Sequence, residues 1–266
     1  MKKEFTKDNI DNYLKEVAKE YRKLVGNSMP AEMILIGGAS VLLNYGFRNM
    51  TTDIDAMIHA ASAMKDAIRN VGNRYSLPID WLNSDFRYTN SYTPKLVEFS
   101  TYYRTFYNVL SVRTISSEYL IAMKLRAGRG YKNDLSDIVG ILIEHNRRGK
   151  PITMVKIQRA VTDLYGGWDS LPEESKIFIE NVMKDNNYEQ EYQKTVQKEK
   201  GTREFLKQFE EKYPGVMKEN NINSIIESHQ KSMNTVSIIK QYESEESKTD
   251  KEEKEEIGDD EDDLDM

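Results

Sequence analysis

Apolar residues recur with helical spacing at the start of the chain. Ile10, Leu14, Val17, Tyr21 and Leu24 fall on one stripe and predict a helix over Lys7–Val25, with Thr6 or Asp8 as its cap and a turn from Gly26 to Pro30. Met33–Ile36 is a short apolar run, the mark of a buried strand. After Gly37, Gly38, Ala39 and Ser40, the residues Val41, Leu42 and Tyr45 predict a short helix that Gly46 would stop. Thr52–Ile58 reads as a second strand, His59–Val71 as a helix ended by Gly72-Asn73, and Tyr75–Asn83 as a strand region that Pro78 places at an edge or a strand start. Lys95–Thr101 and Thr105–Val112 are rich in β-formers and predict two more strands. The tyrosines near them, Tyr102, Tyr103 and Tyr107, read as packing residues, with base stacking as the alternative.

Farther on the period is helical. Leu120, Met123 and Ala127 share a face of a helix begun at Ser116 or Ser117 and broken by Gly128–Gly130. Asn133 starts the next helix, in which Leu135, Ile138, Val139, Leu142 and Ile143 form a buried stripe. Ile152–Gly167 follows with Val155, Ala160, Val161 and Leu164 inside, and then a helix after Pro172 with Ile177, Ile179 and Val182. Asn186–Gly201 is highly polar, and weaker helical patterns lie at Phe205–Tyr213 and Ile222–Ile239. The pattern predicts an α/β (α+β) fold, a small mixed sheet flanked by helices. Its parts are an N-terminal helix (1–27), the sheet domain (28–150), a helical region (151–240) and an acidic tail (241–266) with too little apolar surface to order.

Charge changes the picture of the whole. The net charge is −6 over 266 residues. Residues 241–266 hold 14 acids and 3 lysines, a net of −11, and removing them leaves the rest of the chain at +5. A mildly basic body is able to meet a nucleic acid; the tail is not, and it either solubilises or covers a basic face. There is no cysteine, and His59, His145 and His229 share no ligand spacing. The first residues carry lysines but no apolar core of a signal peptide, and no run reaches the ~18 apolar residues of a membrane span. These features predict a soluble cytoplasmic protein with no membrane partner.

Chemistry concentrates in Met33–Ile58. Asp53 and Asp55 are two apart in a predicted strand and so share a face. Neighbouring carboxylates repel unless a cation sits between them, and Mg2+ (or Mn2+) takes such ligands while leaving places for phosphate oxygens. Gly37 and Gly38 lack side chains and let backbone N–H groups approach a phosphate at the start of the following helix.

The order GGAS, a spacer with Arg48, then TTDIDA resembles the signature of the nucleotidyltransferase (polymerase beta-like) superfamily. The later block KLRAGRGYKNDLSDI resembles the C-terminal motif of AbiE-type toxin nucleotidyltransferases, with Lys124, Arg126, Arg129, Asp134 and Asp137 matching and Asn133 standing where the family usually has an Arg. The resemblance covers about residues 33–58 and 116–143. It implies a nucleotidyltransferase fold and transfer of a nucleoside monophosphate from an NTP to an acceptor hydroxyl. Asp53 and Asp55 would hold the metal, and Gly37, Gly38 and Ser40 would cradle phosphates. Lys124 with Arg129 would neutralise charge, and Asp134 would orient a lysine or accept a proton. A third metal carboxylate belongs on a following strand, and Asp80 is the candidate by order; a turn-starting role for Asp80 or Asp85 explains the residues as well. Lys124 also reads as a snorkelling residue, and Asp134 as a charge favourable to a helix start. The resemblance further implies the toxin of a toxin–antitoxin or phage-defence pair, with tRNA as leading acceptor and a cognate antitoxin or defence-complex protein as partner. The competing readings are modification of a protein or antibiotic, and a non-catalytic binding module with the same fold.

Overall fold

The computed structural model describes residues 4–218 and 220–232. The expected disordered tail lies outside the described residues, as does the end of the predicted Ile222–Ile239 helix, whose first part is a helix over residues 222–232.

Helix α1 (Lys7–Val25) starts at a capping box: the Thr6 hydroxyl accepts the Asn9 N–H and the Asn9 side chain accepts the Thr6 N–H. It buries Ile10, Leu14, Val17, Ala18 and Tyr21, while Leu24, expected in that stripe, is exposed. Strand β1 (Ala31–Leu35) leads through Ile36 into helix α2 (Gly37–Asn44), and β2 (Ile54–His59) follows. Helix α2 already ends at Asn44, before Gly46. Strand β2 runs on to His59, so helix α3 (Ala63–Tyr75) starts later than its apolar pattern suggests and ends at Ser76, not at Gly72. Gly72 stays inside α3 because Trp81 packs on it, with a Cβ there meeting the indole nitrogen at 3.1 Å.

The short β3 (Leu82–Asn83) precedes a 3-10 turn (Asp85–Tyr88). Two expected strands are redrawn next. Pro94–Val97 is a 3-10 turn, and β4 (Ser100–Phe106) pairs with β5 (Leu110–Ile115) across Tyr107 and Asn108, which have φ of 51° and 54°. The predicted Thr105–Val112 strand is thus a hairpin turn with strand on either side, two left-handed residues in the middle turning the chain back. The rest is helical: α4 (Ser117–Ala127), α5 (Asp134–Arg147), α6 (Met154–Tyr165), α7 (Glu173–Asp185) and α8 (Tyr188–Lys212). The polar Asn186–Gly201 stretch is the start of α8. In α6, Val155, expected inside, is exposed and Ile157 is buried instead; in α7, Ile179 and Val182 are buried and Ile177 is exposed.

The five strands form one mixed sheet in the order β3-β2-β1-β5-β4. Strand β1 is central, antiparallel to β2 and parallel to β5, while β3 joins β2 in parallel with Asp55 opposite Asn83. Alternation along β1 sends Met33 and Leu35 to one face, where α1 and α3 pack, and Ile34 and Ile36 to the other, where α4 to α7 pack. The second core is continuous from Ile34 to Val182, so helices after residue 150 share it.

The chain divides into two compact units at Gly201/Thr202. Within the second, Phe205 stacks on His229 with ring centroids 3.7 Å apart. No helix among the described residues is long and apolar enough to cross a membrane.

Candidate functional site

The turn between β1 and α2 and the start of β2 meet because β1 and β2 are neighbours. The Ile36 N–H donates to the Asp55 carbonyl at 2.9 Å, which fixes the glycine turn beside the second acid. Gly37 has φ of 54°, a left-handed conformation natural to glycine, and a Cβ built on it would stand 3.9 Å from Asp55 Oδ2. Ile54 is fully buried between an exposed Asp53 and a half-buried Asp55, so both acids face away from the core on one side. Burial, and then the Asp53 charge, push the Asp55 carboxyl up to about 6, with Lys132 and Arg129 pulling the other way and Asp85 adding to the rise. Burial is thus the larger cause and the neighbouring carboxylate the second, and a bound cation would favour the ionised form of both acids.

The donor set suits a hard divalent cation: Asp55 in β2 and Asp53 just before that strand, beside a turn with backbone N–H groups at a helix start. No group of three acidic or histidine side chains converges on one point among the described residues, so remaining ligands would come from phosphate and water. Asp80 lies exposed in the turn before β3, while Asp85 is the further acid whose charge reaches Asp55. Asn83, not an acid, is the residue that β3 places opposite Asp55.

Ser40 is turned inward. It is fully buried, and its hydroxyl accepts the Ile115 N–H at 3.2 Å, locking α2 to the end of β5. Gly38 is hemmed in from behind: a Cβ there would lie 2.6 Å from Thr51 Oγ1 and 2.9 Å from Arg48 Nη2. The backbone of Thr51 is itself held, its N–H donating to the Phe5 carbonyl at 2.9 Å and its carbonyl accepting the Phe5 N–H at 2.8 Å.

Lys124 and Asp134, expected to act on substrate, belong to a buried chain of charges. Lys124 Nζ donates to Asp134 Oδ1 at 3.0 Å and to Asp137 Oδ2 at 2.7 Å. Arg129 Nε donates to Asp134 Oδ2 at 2.8 Å, and Arg48 pairs with Asp137. Burial alone would lower the Lys124 pKa, but Asp137 and Asp134 outweigh it and hold the ammonium above its ordinary range. Burial would raise Asp134, but Lys124 and Arg129 hold it below the ordinary carboxylate range. Of the two roles weighed for Asp134, orienting a lysine fits this setting; a carboxylate held down by two cations is a weak proton acceptor. Arg129 is partly exposed, and its charge and that of Lys132 are the cationic fields that reach Asp55.

The start of α5, which carries Asp134 and Asp137, is capped from α8. Glu199 Oε1 accepts the N–H groups of Leu135 and Ser136 at 3.0 and 3.2 Å, and Oε2 accepts the Ser136 hydroxyl at 2.5 Å. Burial pushes Glu199 up to about 7.

Sequence reasoning gave no role to Lys132 or Glu199, offered Asp85 only as a turn starter, counted Asp137 as a motif match without a role, and met Arg48 only as part of a spacer. Asp137 carried a signal, since it lies three residues beyond Asp134 on one side of a helix. Glu199 and Arg48 act across 63 and 89 residues and have no local signal.

In comparison with known proteins, the model of a family described as "nucleotidyltransferase of unknown function (DUF6036)" matches residues 12–146. No curated protein and no solved structure matches the chain.

Proposed function

The chain belongs to this DUF6036 family of nucleotidyltransferases, and on that premise we propose that it transfers a nucleoside monophosphate from an NTP to an acceptor hydroxyl. The observation that carries the reading is the meeting of Gly37 with Asp55, next to Asp53 and within reach of the charges of Arg129 and Lys132. Asp53 and Asp55 would hold Mg2+ or Mn2+, which when bound supplies Lewis-acid polarisation of the α-phosphate. The N–H groups at the start of α2, freed of side chains by Gly37 and Gly38, receive the outer phosphates. Arg129 and Lys132 offset the charge that builds on the departing pyrophosphate. The acceptor oxygen forms its bond to the α-phosphorus as the bond to pyrophosphate breaks, and its proton passes to solvent. Ser40 and Asp134 serve this chemistry by holding α2 and Lys124 in place.

The acceptor we favour is tRNA, and the biological role a toxin of a toxin–antitoxin or phage-defence pair with a cognate partner. Support comes from the AbiE-type pattern of Lys124, Arg129, Asp134 and Asp137 and from the +5 charge of residues 1–240. The test is incubation with magnesium, each labelled NTP, and total tRNA or cell extract, with Asp53→Ala/Asp55→Ala as control. Label on RNA that disappears in the control is the expected result. Label on protein redirects the reading to a protein-modifying enzyme, and none in either rejects transfer in favour of a binding module.

A further inference from the structure

The glycine turn is braced by side chains that the proposed chemistry does not use. A glycine pair is conformationally permissive, so apart from the Ile36 N–H bond to the Asp55 carbonyl its path depends on what packs against it. Here the place of a Gly38 side chain is taken by Thr51 Oγ1 and by Arg48 Nη2, 2.6 and 2.9 Å from the Cβ position. Arg48 is not a loose surface residue. Its Nε donates to the Met50 carbonyl at 3.0 Å, and its Nη1 donates to the Asp137 carboxylate. Asp137 is fixed by Lys124, Lys124 by Asp134, and Asp134 by Arg129 at the rim facing Asp55. One end of this chain of five charges presses on the turn, and the other, Arg129, is close enough for its charge to act on Asp55.

We infer that Arg48 is a positioning residue for the nucleoside triphosphate: it sets the path of the glycine turn relative to Asp53 and Asp55, and the chain through Asp137, Lys124 and Asp134 holds it there. The inference rests on the nucleotidyl-transfer reading for its ligand, and on geometry alone for the brace. The planar fork matters. A lysine at position 48 would offer Asp137 a point charge but could not at once reach the Met50 carbonyl and fill the space behind Gly38.

The experiment uses the full chain as wild type, Arg48→Met, Arg48→Lys and the surface control Arg147→Met. It reads amide hydrogen exchange over residues 36–44 without ligand, binding of magnesium with each NTP, and KM and kcat in the labelled transfer assay. In both Arg48 variants the turn is expected to exchange about tenfold faster while the sheet keeps its protection. Magnesium–NTP affinity is expected to fall about tenfold or more, with KM rising before kcat falls. The Arg147 control leaves all three unchanged. Arg48→Lys restoring both turn protection and NTP affinity would overturn the inference, since Arg48 would then act only as a charge for Asp137. So would a folded Arg48→Met with wild-type exchange and binding; if that variant does not fold, Arg48→Lys decides. A wild-type chain that binds no NTP, yet whose turn loosens in the variants, rejects the transfer reading and the ligand with it while supporting the brace.

Discussion

Asp55 carries a conflict between folding and function. Its carboxyl is raised from 3.8 to about 6, so the folded chain holds a proton there that the unfolded chain has lost. Between those values the native state binds more protons, and stability falls as pH rises through the window. Above about pH 6 the ionised side chain costs the metal-free protein up to about 3 kcal/mol. Asp55→Asn is therefore expected to melt higher than wild type at pH 7.5, with the gap closing below pH 4, and to lose divalent-ion binding. Thermal melts across pH check this, and equal melting temperatures at pH 7.5 would refute it. For the same reason wild-type affinity for magnesium should weaken as pH drops through about 6, and Asp53→Asn should move that midpoint down by removing a neighbouring negative charge. Strand alternation is local, so a buried Ile54 between two more exposed acids was legible in the sequence; that β2 starts only at Ile54 and leaves Asp53 just before it was not. The roles of Ser40 and Lys124 were not legible at that range. Whether a hydroxyl or an ammonium meets a phosphate or a protein partner depends on Ile115 in one case and on Asp137 in the other, and neither is its neighbour in the chain.

Helix α5 brings Asp134 and Asp137 to the site, and two contacts hold it. Glu199 caps its start, so Glu199→Ala is expected to cost about 1–2 kcal/mol, a fall of about 2–8 °C in melting temperature. It also frees Asp134 to shift, so transfer should drop more than the melt implies. Glu199→Gln keeps an oxygen for the two N–H groups and should recover most of the stability at pH 8. Gly140 is the other contact. A Cβ there would stand 2.5 Å from the Phe47 ring, which sits beside Tyr45 and Tyr192 and next to Arg48. Gly140→Ala is expected to destabilise by about 1–3 kcal/mol through overpacking. It should weaken NTP binding as well, and calorimetry that shows only the first effect would separate α5 packing from the turn. At this scale helices with a clear apolar stripe, α1 and α5, were legible. The β4–β5 hairpin was hidden, because Tyr107 and Asn108 turn the chain inside what reads as one β-forming run. The start of α8 was hidden by its polarity, since single residues such as Tyr192 and Glu199 anchor it rather than a stripe.

For the molecule as a whole, charge is divided by position: −11 over residues 241–266 and +5 before them. Deleting residues 244–266 is expected to raise affinity for tRNA at low salt, an effect that fades as added salt screens it. Filter binding at two salt concentrations checks this, and unchanged affinity at low salt would remove the tail from any account of nucleic-acid binding. The α/β class and the helical second half were readable from the order of patterns. The two cores on opposite faces of one sheet were not, because they depend on which helices return to which face. That topology bears on synthesis. Strand β1 needs β5 beside it, and Arg48 needs an aspartate made 89 residues later. While the ribosome is still extending the chain toward α5, the first half holds every predicted metal ligand and the β1–β2 pair, but not the Asp137 that anchors Arg48. If Arg48 positions the triphosphate as inferred above, a nascent chain is expected to stay inert beside the translation machinery until α5 has emerged.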